Sequence, residues 1–500
     1  MLTMALAAMD TTIVSTAIPQ VVDDLGGFAL FTWVFSVYLL AQTITIPIYG
    51  NLADMFGRKP VLVAGTLIFL AGSAASALAW DMVSLIVFRT LQGLGAGSIM
   101  ATVNTLAGDL YAVRDRARIQ GWLSSVWGMA AVAGPLLGGA LAEHASWRWV
   151  FLINLPLGAL SLALLVRYLH ETPQYQQHRI DYAGAALIMA TSCVLIFALL
   201  QGGQAWAWGS PPSIGLFVAA GVLAVLAVQV ERRAAEPILP AWLWRDPVLA
   251  GSNLAMLAMG VVMMGPIVYL PTFGQSVLGL GAIAAGLMLA TMSIGWPIAS
   301  ALSGPAYLRF GFRNAGIGGV LLMIAAALGF LALPAPAPAG WVAADQMLLG
   351  AGFGLLSTPL LVGAQSCVGW ARRGTATGAN MFARFLGQTL GAALFGAIFN
   401  GAMRNRLAGA PAALEAELPA RVDGVIDALH GGGLSAPAAH YLREAISGAT
   451  TQVYIGVLAV AVLSLLAVFI IPSVFPLVED DGPEAGGSGG GADGSSGRGG

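Results

Sequence analysis

Long apolar runs, each close to the length of a bilayer crossing and parted by short polar breaks, constrain this chain more than any other feature. A helix needs roughly 20 residues to cross the hydrocarbon core of a membrane. Runs of that order lie near 2–22, 29–49, 60–80, 83–104, 119–142 and 148–168, then near 182–202 and 212–230. A last set lies near 248–272, 283–303, 314–334, 341–365, 376–402 and 452–475. Lipid offers no hydrogen-bond partners, so each run has to satisfy its backbone internally, as a helix. The fold class that follows is an all-α polytopic membrane protein with 14 transmembrane helices. Composition agrees: 58% of residues are hydrophobic and 9% charged, where a soluble chain carries about a quarter charged. The net charge of −2 leaves no basic surface for nucleic acid. Residues 1–20 lack a positive n-region and an A-x-A cleavage site, so they read as the first membrane helix. Cys193 and Cys367 both fall inside apolar runs and imply no disulfide.

Orientation comes from the Lys/Arg asymmetry of the short loops. Alternate loops carry Arg58 and Lys59; Arg114, Arg116 and Arg118; Arg167 and Arg179; Arg232, Arg233 and Arg245; Arg309 and Arg313; Arg372 and Arg373. Short loops of the opposite side carry only Arg148. Both termini are therefore expected in the cytoplasm. The long connection 403–450 lies outside, and its segments 412–430 and 437–447 look amphipathic. They predict two short helices over the outer mouth, with Pro437 at the first position of the second, where its missing N–H costs nothing. The tail 479–500 is acidic, then Gly/Ser-rich, and is expected to be disordered and cytoplasmic.

The chain also repeats itself. Gly50-x6-Gly57 returns as Gly304-x6-Gly311, with Arg313 matching Lys59. The ladder Gly93-x-Gly95-x-Gly97 returns as Gly350-x-Gly352-x-Gly354. These ladders sit inside apolar helices, so close helix packing explains them and a nucleotide-binding fingerprint does not. Two homologous six-helix bundles are implied, 1–170 and 247–478, with two additional helices and their linkers in 171–246. The halves differ in charge: Asp54 aligns with Leu308, and Arg89 with Gln346.

Few residues can carry chemistry. Asp10, mid-way along the first run, costs roughly 2.5–3.5 kcal/mol at a bilayer centre. It is either half of a structural ion pair or a proton-binding carboxylate. Arg89 cannot deprotonate, and Asp10 is its obvious partner. Arg384 is expected to snorkel to the cytoplasmic face. Asp345 is a second carboxylate or, on the blander reading, an exposed helix-end residue. Gly134-Pro135-Leu136-Leu137-Gly138-Gly139 kinks the fifth run and lets another backbone close on it. Trp33, Tyr38, Gln42, Gln92, Trp122, Trp127, Tyr269, Met288, Met292 and Trp296 could each face lipid or packing. Together they suit a cavity for flat lipophilic molecules. The five histidines fall in loops or at run ends, without metal-ligand or nucleophile motifs, and there is no Walker motif. No enzyme, metal or cofactor is expected.

Gly50-Asn51-Leu52-Ala53-Asp54-Met55-Phe56-Gly57-Arg58-Lys59 closely resembles the loop between helices 2 and 3 of the major facilitator superfamily. The Gly-Pro string of the fifth run, with Gly128 before it, is similar to that superfamily's antiporter motif. Asp10-Thr11-Thr12-Ile13-Val14, and Trp147-Arg148-Trp149-Val150-Phe151 with Ile153, Asn154, Pro156 and Gly158, resemble the fourteen-helix drug:proton antiporters of the EmrB/QacA branch. The likeness covers nearly the whole chain, and its strongest motifs lie in the first 160 residues. It departs in having no acidic residue in the middle of the tenth run. The resemblance implies a secondary transporter of the bacterial cytoplasmic (inner) membrane. That protein would export lipophilic or amphipathic, often cationic, drugs in exchange for protons. Asp10 and Arg89 would couple the proton. Gly50, Asp54, Gly57, Arg58 and Lys59, with Gly134, Pro135, Gly138 and Gly139, would serve conformational switching. Export of a dedicated endogenous metabolite, peptide or lipid remains the alternative, and a channel or scaffold the different-class one. Protons, small lipophilic substrates and the bilayer are the partners implied; a periplasmic adaptor is a partner that the sequence does not specify.

Overall fold

The computed structural model describes residues 1–475 except 27–29, 172–180, 203–205, 335–337, 412, 413, 415, 420, 421 and 431–433. Apart from an isolated bridge between Gly202 and Trp206, its regular elements are helices. The first bundle holds α1 (Leu2–Thr16), α2 (Ile18–Leu25), α3 (Phe31–Phe56), α4 (Arg58–Ala77), α5 (Met82–Leu110), α6 (Val113–His144), α7 (Trp149–Leu152) and α8 (Asn154–Tyr168). Next come α9 (Tyr182–Gln201), α10 (Pro211–Glu231) and the short α11 (Trp242–Arg245). The second bundle holds α12 (Pro247–Ser276), α13 (Ala282–Phe310), α14 (Phe312–Leu331), α15 (Ala339–Ser366), α16 (Trp370–Ala408), α17 (Val425–His430) and α18 (Ala436–Ile470).

Among the described residues, 12 helices are long and apolar enough to cross a membrane. The fourteen runs of the sequence exceed that number by two. The first run is bent at Ala17, between α1 and α2, so neither piece reaches spanning length. The other is α6, 32 residues long, in which the side chains of residues 135, 139, 142 and 143 lie outside the described residues.

The stretch 50–59 reads as a loop in the sequence, yet almost all of it is helix. α3 runs to Phe56, α4 starts at Arg58, and Gly57 alone makes the corner at φ +92°. The second bundle repeats this at Gly311, φ +85°, between α13 and α14. Only glycine takes such a φ freely. The glycine ladders repeat as well. A Cβ on Gly93 or Gly97 would meet α3, and one on Gly95 would meet α4. In the same order, Gly350 and Gly354 face α13, and Gly352 faces α14. Backbones thus approach where a side chain would stand, as expected of helices associating in lipid.

The second amphipathic segment, 437–447, is no separate surface helix. It is the start of the 35-residue α18, capped by Ser435 with Pro437 in the first two positions. Its Leu442, Ala445, Ile446 and Ala449 pack on Ala402 and Met403 of α16, so the apolar stripe continues into the last span. The first segment holds, among its described residues, a 3-10 turn at Val422–Gly424 and the short α17. The tail 479–500 lies outside the described residues.

Candidate functional site

The bundles are joined at the end that carries Gly57. A Cβ on Gly50 would lie 2.5 Å from the carbonyl oxygen of Gly374, so α3 and α16 touch backbone to backbone. That contact lets Asp54 reach the start of α16. Its Oδ1 accepts from Gly374 N–H at 2.8 Å, and its Oδ2 from the N–H and hydroxyl of Thr375. Negative charge is favoured near a helix N-terminus. Arg58, fully buried, donates through Nη2 to the Trp370 carbonyl at 2.6 Å and through Nε to Asp109 at 2.7 Å. Asp109 also accepts from Arg373 Nη1 of the second bundle at 2.8 Å. Two arginines and two aspartates therefore form a buried, charge-balanced clamp. Tyr307 donates its hydroxyl to the Val113 carbonyl, and Arg116 donates to Ser366 Oγ, closing the seam between α6 and the second bundle. Glu171, missed by sequence reasoning, accepts from the N–H groups of Arg58 and Lys59 at 2.8 Å and caps α4. Lys59 Nζ donates to the Val166 carbonyl.

Asp10 is enclosed within the first bundle, with no exposed surface. Arg89 Nη1 donates to its Oδ2 at 2.5 Å. Gln92 and Asn154 donate to its Oδ1 at 2.7 and 3.1 Å. Gln92 Oε1 accepts from the same Arg89 nitrogen, Asn154 also donates to Ser73 Oγ, and Ser73 donates to the Phe151 carbonyl. The Arg89 guanidinium lies over the Tyr38 ring, with Cζ 4.2 Å from the ring centre. Buried charges persist when paired and hydrogen-bonded like this. Gly134 brings α6 against α1 beside this network: a Cβ there would lie 2.0 Å from Thr12 Oγ1. Gly138 is buried on the same helix, while the side-chain surroundings of Pro135 and Gly139 lie outside the described residues. In the second bundle Gln346 stands at the Arg89 position, donating to Asp345 and to Tyr454 Oη. Asp345 is buried, at 6% exposure, and not an exposed helix-end residue.

Between the bundles lies a cavity of about 280 Å³. Thr11 and Thr12, the neighbours of Asp10, line it from α1. Of the residues proposed from sequence, Gln42, Trp127, Met292 and Trp296 line it too. The others lie elsewhere. Trp33 stacks on Phe197 of α9, Tyr269 stacks on Phe399, and Met288 packs with Phe273 and Phe330. Tyr38 and Gln92 are committed to the Asp10–Arg89 network, and Trp122 is exposed on the outside of α6. Arg384 does not snorkel. It lies 14 residues into α16 from Trp370, about 21 Å at 1.5 Å per residue, and lines the cavity beside Gln388. Sequence reasoning misplaced it because the apolar middle of the helix gives no phase for the one charge within it, the other arginines of α16 lying near its ends. Among the described residues, Asp and Glu are absent from the lining.

The family model described as Major Facilitator Superfamily matches residues 1–392. The chain is 36% identical over 388 residues to Multidrug resistance protein 3 of Bacillus subtilis (strain 168), covering 77% of this chain and 75% of that one. Its fold is similar to that of the human organic anion transporter MFSD10 (TETRAN), with a TM-score of 0.61, 13% identity, and 93% and 97% of the two chains covered. It is also similar to that of the proton:xylose symporter XylE, with a TM-score of 0.59, 14% identity, and 94% and 93% covered. At such identities the structural likeness speaks for the fold alone.

Proposed function

The chain belongs to the Major Facilitator Superfamily, and on that premise we propose that it exports lipophilic or amphipathic compounds across the bacterial cytoplasmic membrane in exchange for protons. It is a multi-pass membrane transporter, not an enzyme. The relative named a multidrug resistance protein supports drug-like cargo. In this reading the bent α1–α2 pair and α6 are two further crossings, which makes fourteen. The arginine-rich Gly57 end then faces the cytoplasm with both termini, and the clamp of Asp54, Arg58, Asp109 and Arg373 shuts the cavity on that side.

The observation that carries the proposal is the position of Asp10. It is buried with Arg89, yet next in sequence to Thr11 and Thr12 of the cavity wall. A proton on Asp10 would cancel the counter-charge of Arg89, which itself stays charged. Arg89 must then find another partner, and α1 must move relative to α5. A protonation event thereby becomes a change at the cavity wall. Gly50, Asp54, Gly57, Arg58 and Lys59 form the seam that this movement opens. Gly134 keeps α6 close enough to α1 to follow it, and Pro135, Gly138 and Gly139 complete that switching element.

The test uses vesicles reconstituted with the purified protein, with a pH-sensitive dye trapped inside and a pH gradient imposed. Ethidium and 1-pyrenebutanoate serve as cationic and anionic lipophilic probes. Proton flux that starts on addition of a probe, with the probe moving uphill against it, is the expected result. Uphill probe movement with no linked proton flux overturns the exchange.

A further inference from the structure

Arg384 carries a charge that nothing among the described residues around the cavity balances. Arg384 itself is half-buried, whereas Arg58, Arg89 and Arg373 are buried and each holds a carboxylate. Arg384 has no such partner among the described residues, and its Nε is buried without a hydrogen bond. Its ring contacts, with Phe385 at 5.0 Å and Trp296 at 5.8 Å, soften the charge without neutralising it. Among the described residues, no other formally charged one lines the cavity. On α3, Gln42 lines the same cavity with both amide atoms unpaired. A guanidinium keeps its proton, and an ion in a low-dielectric site is stable only when paired. The missing member of this site is therefore an acceptor with negative charge.

We infer that the cavity binds an amphipathic organic anion: an apolar body bearing a carboxylate, sulfonate or phosphate group whose oxygens pair with Arg384. The guanidinium fork suits two-point contact with such a head. Gln42 supplies a further donor from the opposite bundle, so a bound head group touches both halves of the transporter. Trp127, Trp296 and Met292 provide a flat, polarisable wall for the body. The often-cationic cargo implied by the family resemblance finds no counter-ion here. This inference rests on the exporter reading for what the cavity is for, though not on proton exchange.

Binding to purified protein in zwitterionic lipid nanodiscs tests it, with empty nanodiscs subtracted. The probes are 1-pyrenebutanoate and 1-pyrenebutylammonium, which share one body and differ in the sign of the head. Energy transfer from tryptophan to pyrene reports binding. The carboxylate is expected to bind at least tenfold tighter than the ammonium, about 1.4 kcal/mol. Arg384→Gln should remove that preference, and Arg384→Lys should keep most of it. Equal affinities in the parent overturn the inference without recourse to any variant, as does an Arg384→Gln variant that still prefers the carboxylate. Anionic phosphatidylglycerol in the disc, or chloride in place of gluconate, separates sources of the anion. Competition by either with the carboxylate probe assigns the site to a lipid head group or an inorganic ion and overturns an organic cargo. Loss of proton-linked transport with this charge preference intact counts against the exchange, whereas transport without the preference counts against the anion.

Discussion

Thr375 donates both its backbone N–H and its hydroxyl to Asp54 Oδ2, at 2.6 and 2.8 Å. With Gly374 on the other oxygen, one carboxylate of the first bundle holds three donors of the second. The repeat-related position in α13 is Leu308, exposed and without such bonds. The two seams between bundles are thus chemically unequal, and the α3–α16 seam is the one held by charge.

Replacing Asp54 with Asn weakens these bonds and leaves its amide nitrogen facing donors. Charge-assisted hydrogen bonds contribute about 1.5–3 kcal/mol each, so the sealed state should lose roughly tenfold or more in population. Cargo binding should change by no more than a few-fold, since Asp54 is absent from the cavity wall. A cysteine placed at Ser366 in the seam, with Cys193 and Cys367 replaced, should react with a maleimide at least tenfold faster in this background. An unchanged labelling rate would show that the clamp does not hold the seam.

Asp10→Asn preserves shape and removes titration. The variant should insert yet fail to accumulate either lipophilic probe against its gradient in reconstituted vesicles. It should also be less stable, because Arg89 is left as a buried unpaired charge, a loss of about 3–5 kcal/mol. The double variant Asp10→Asn with Arg89→Gln should recover much of that stability and none of the coupling. Accumulation equal to the parent by the single variant would make Asp10 structural, with Asp345 the next carboxylate to examine.

Gly350→Ala should lower thermal stability sharply. Its Cβ would stand 2.1 Å from the backbone oxygen of Met292, which cannot turn aside. Overpacking of this kind costs about 1–3 kcal/mol. Gly215→Ala in α10 meets nothing within 4 Å and favours helix, so its melting temperature should hold or rise. Similar melting temperatures for the two variants would remove the ladder from the list of packing devices.

The repeat was legible because glycine is irreplaceable where φ is positive or backbones touch, so Gly57, Gly311 and the ladders keep their spacing. The Asp10–Arg89 pair was legible as a need for partners, since a deep charge cannot stand alone. Gln92, read from sequence as a cavity residue, and Asn154, noted only within a motif, complete it, because a polar residue in an apolar helix does not show which partner it serves. The face that each aromatic presents was not legible. Tyr38 and Trp127 look alike in an apolar run, yet one lies under a guanidinium and the other faces the cavity. Only packing against neighbouring helices distinguishes them. The ends of α16 and α18 escaped for a related reason: hydropathy finds the part of a helix in lipid, and these helices continue past it.

The unpaired charge of Arg384 also bears on the electrical character of the transport cycle. A monovalent cation leaving as one proton enters moves no net charge, and a neutral compound moves one. An anion leaving as one proton enters moves two charges inward. At a potential of about 100 mV each charge contributes roughly 2.3 kcal/mol. Two contribute about 4.6 kcal/mol, enough for a gradient of more than three decades at about 1.4 kcal/mol per decade. Membrane voltage, more than acidity outside, would then be the main power source. On a capacitive supported membrane such a carrier generates an inward current with anionic cargo, and a lipophilic cation exchanged for one proton leaves the trace flat.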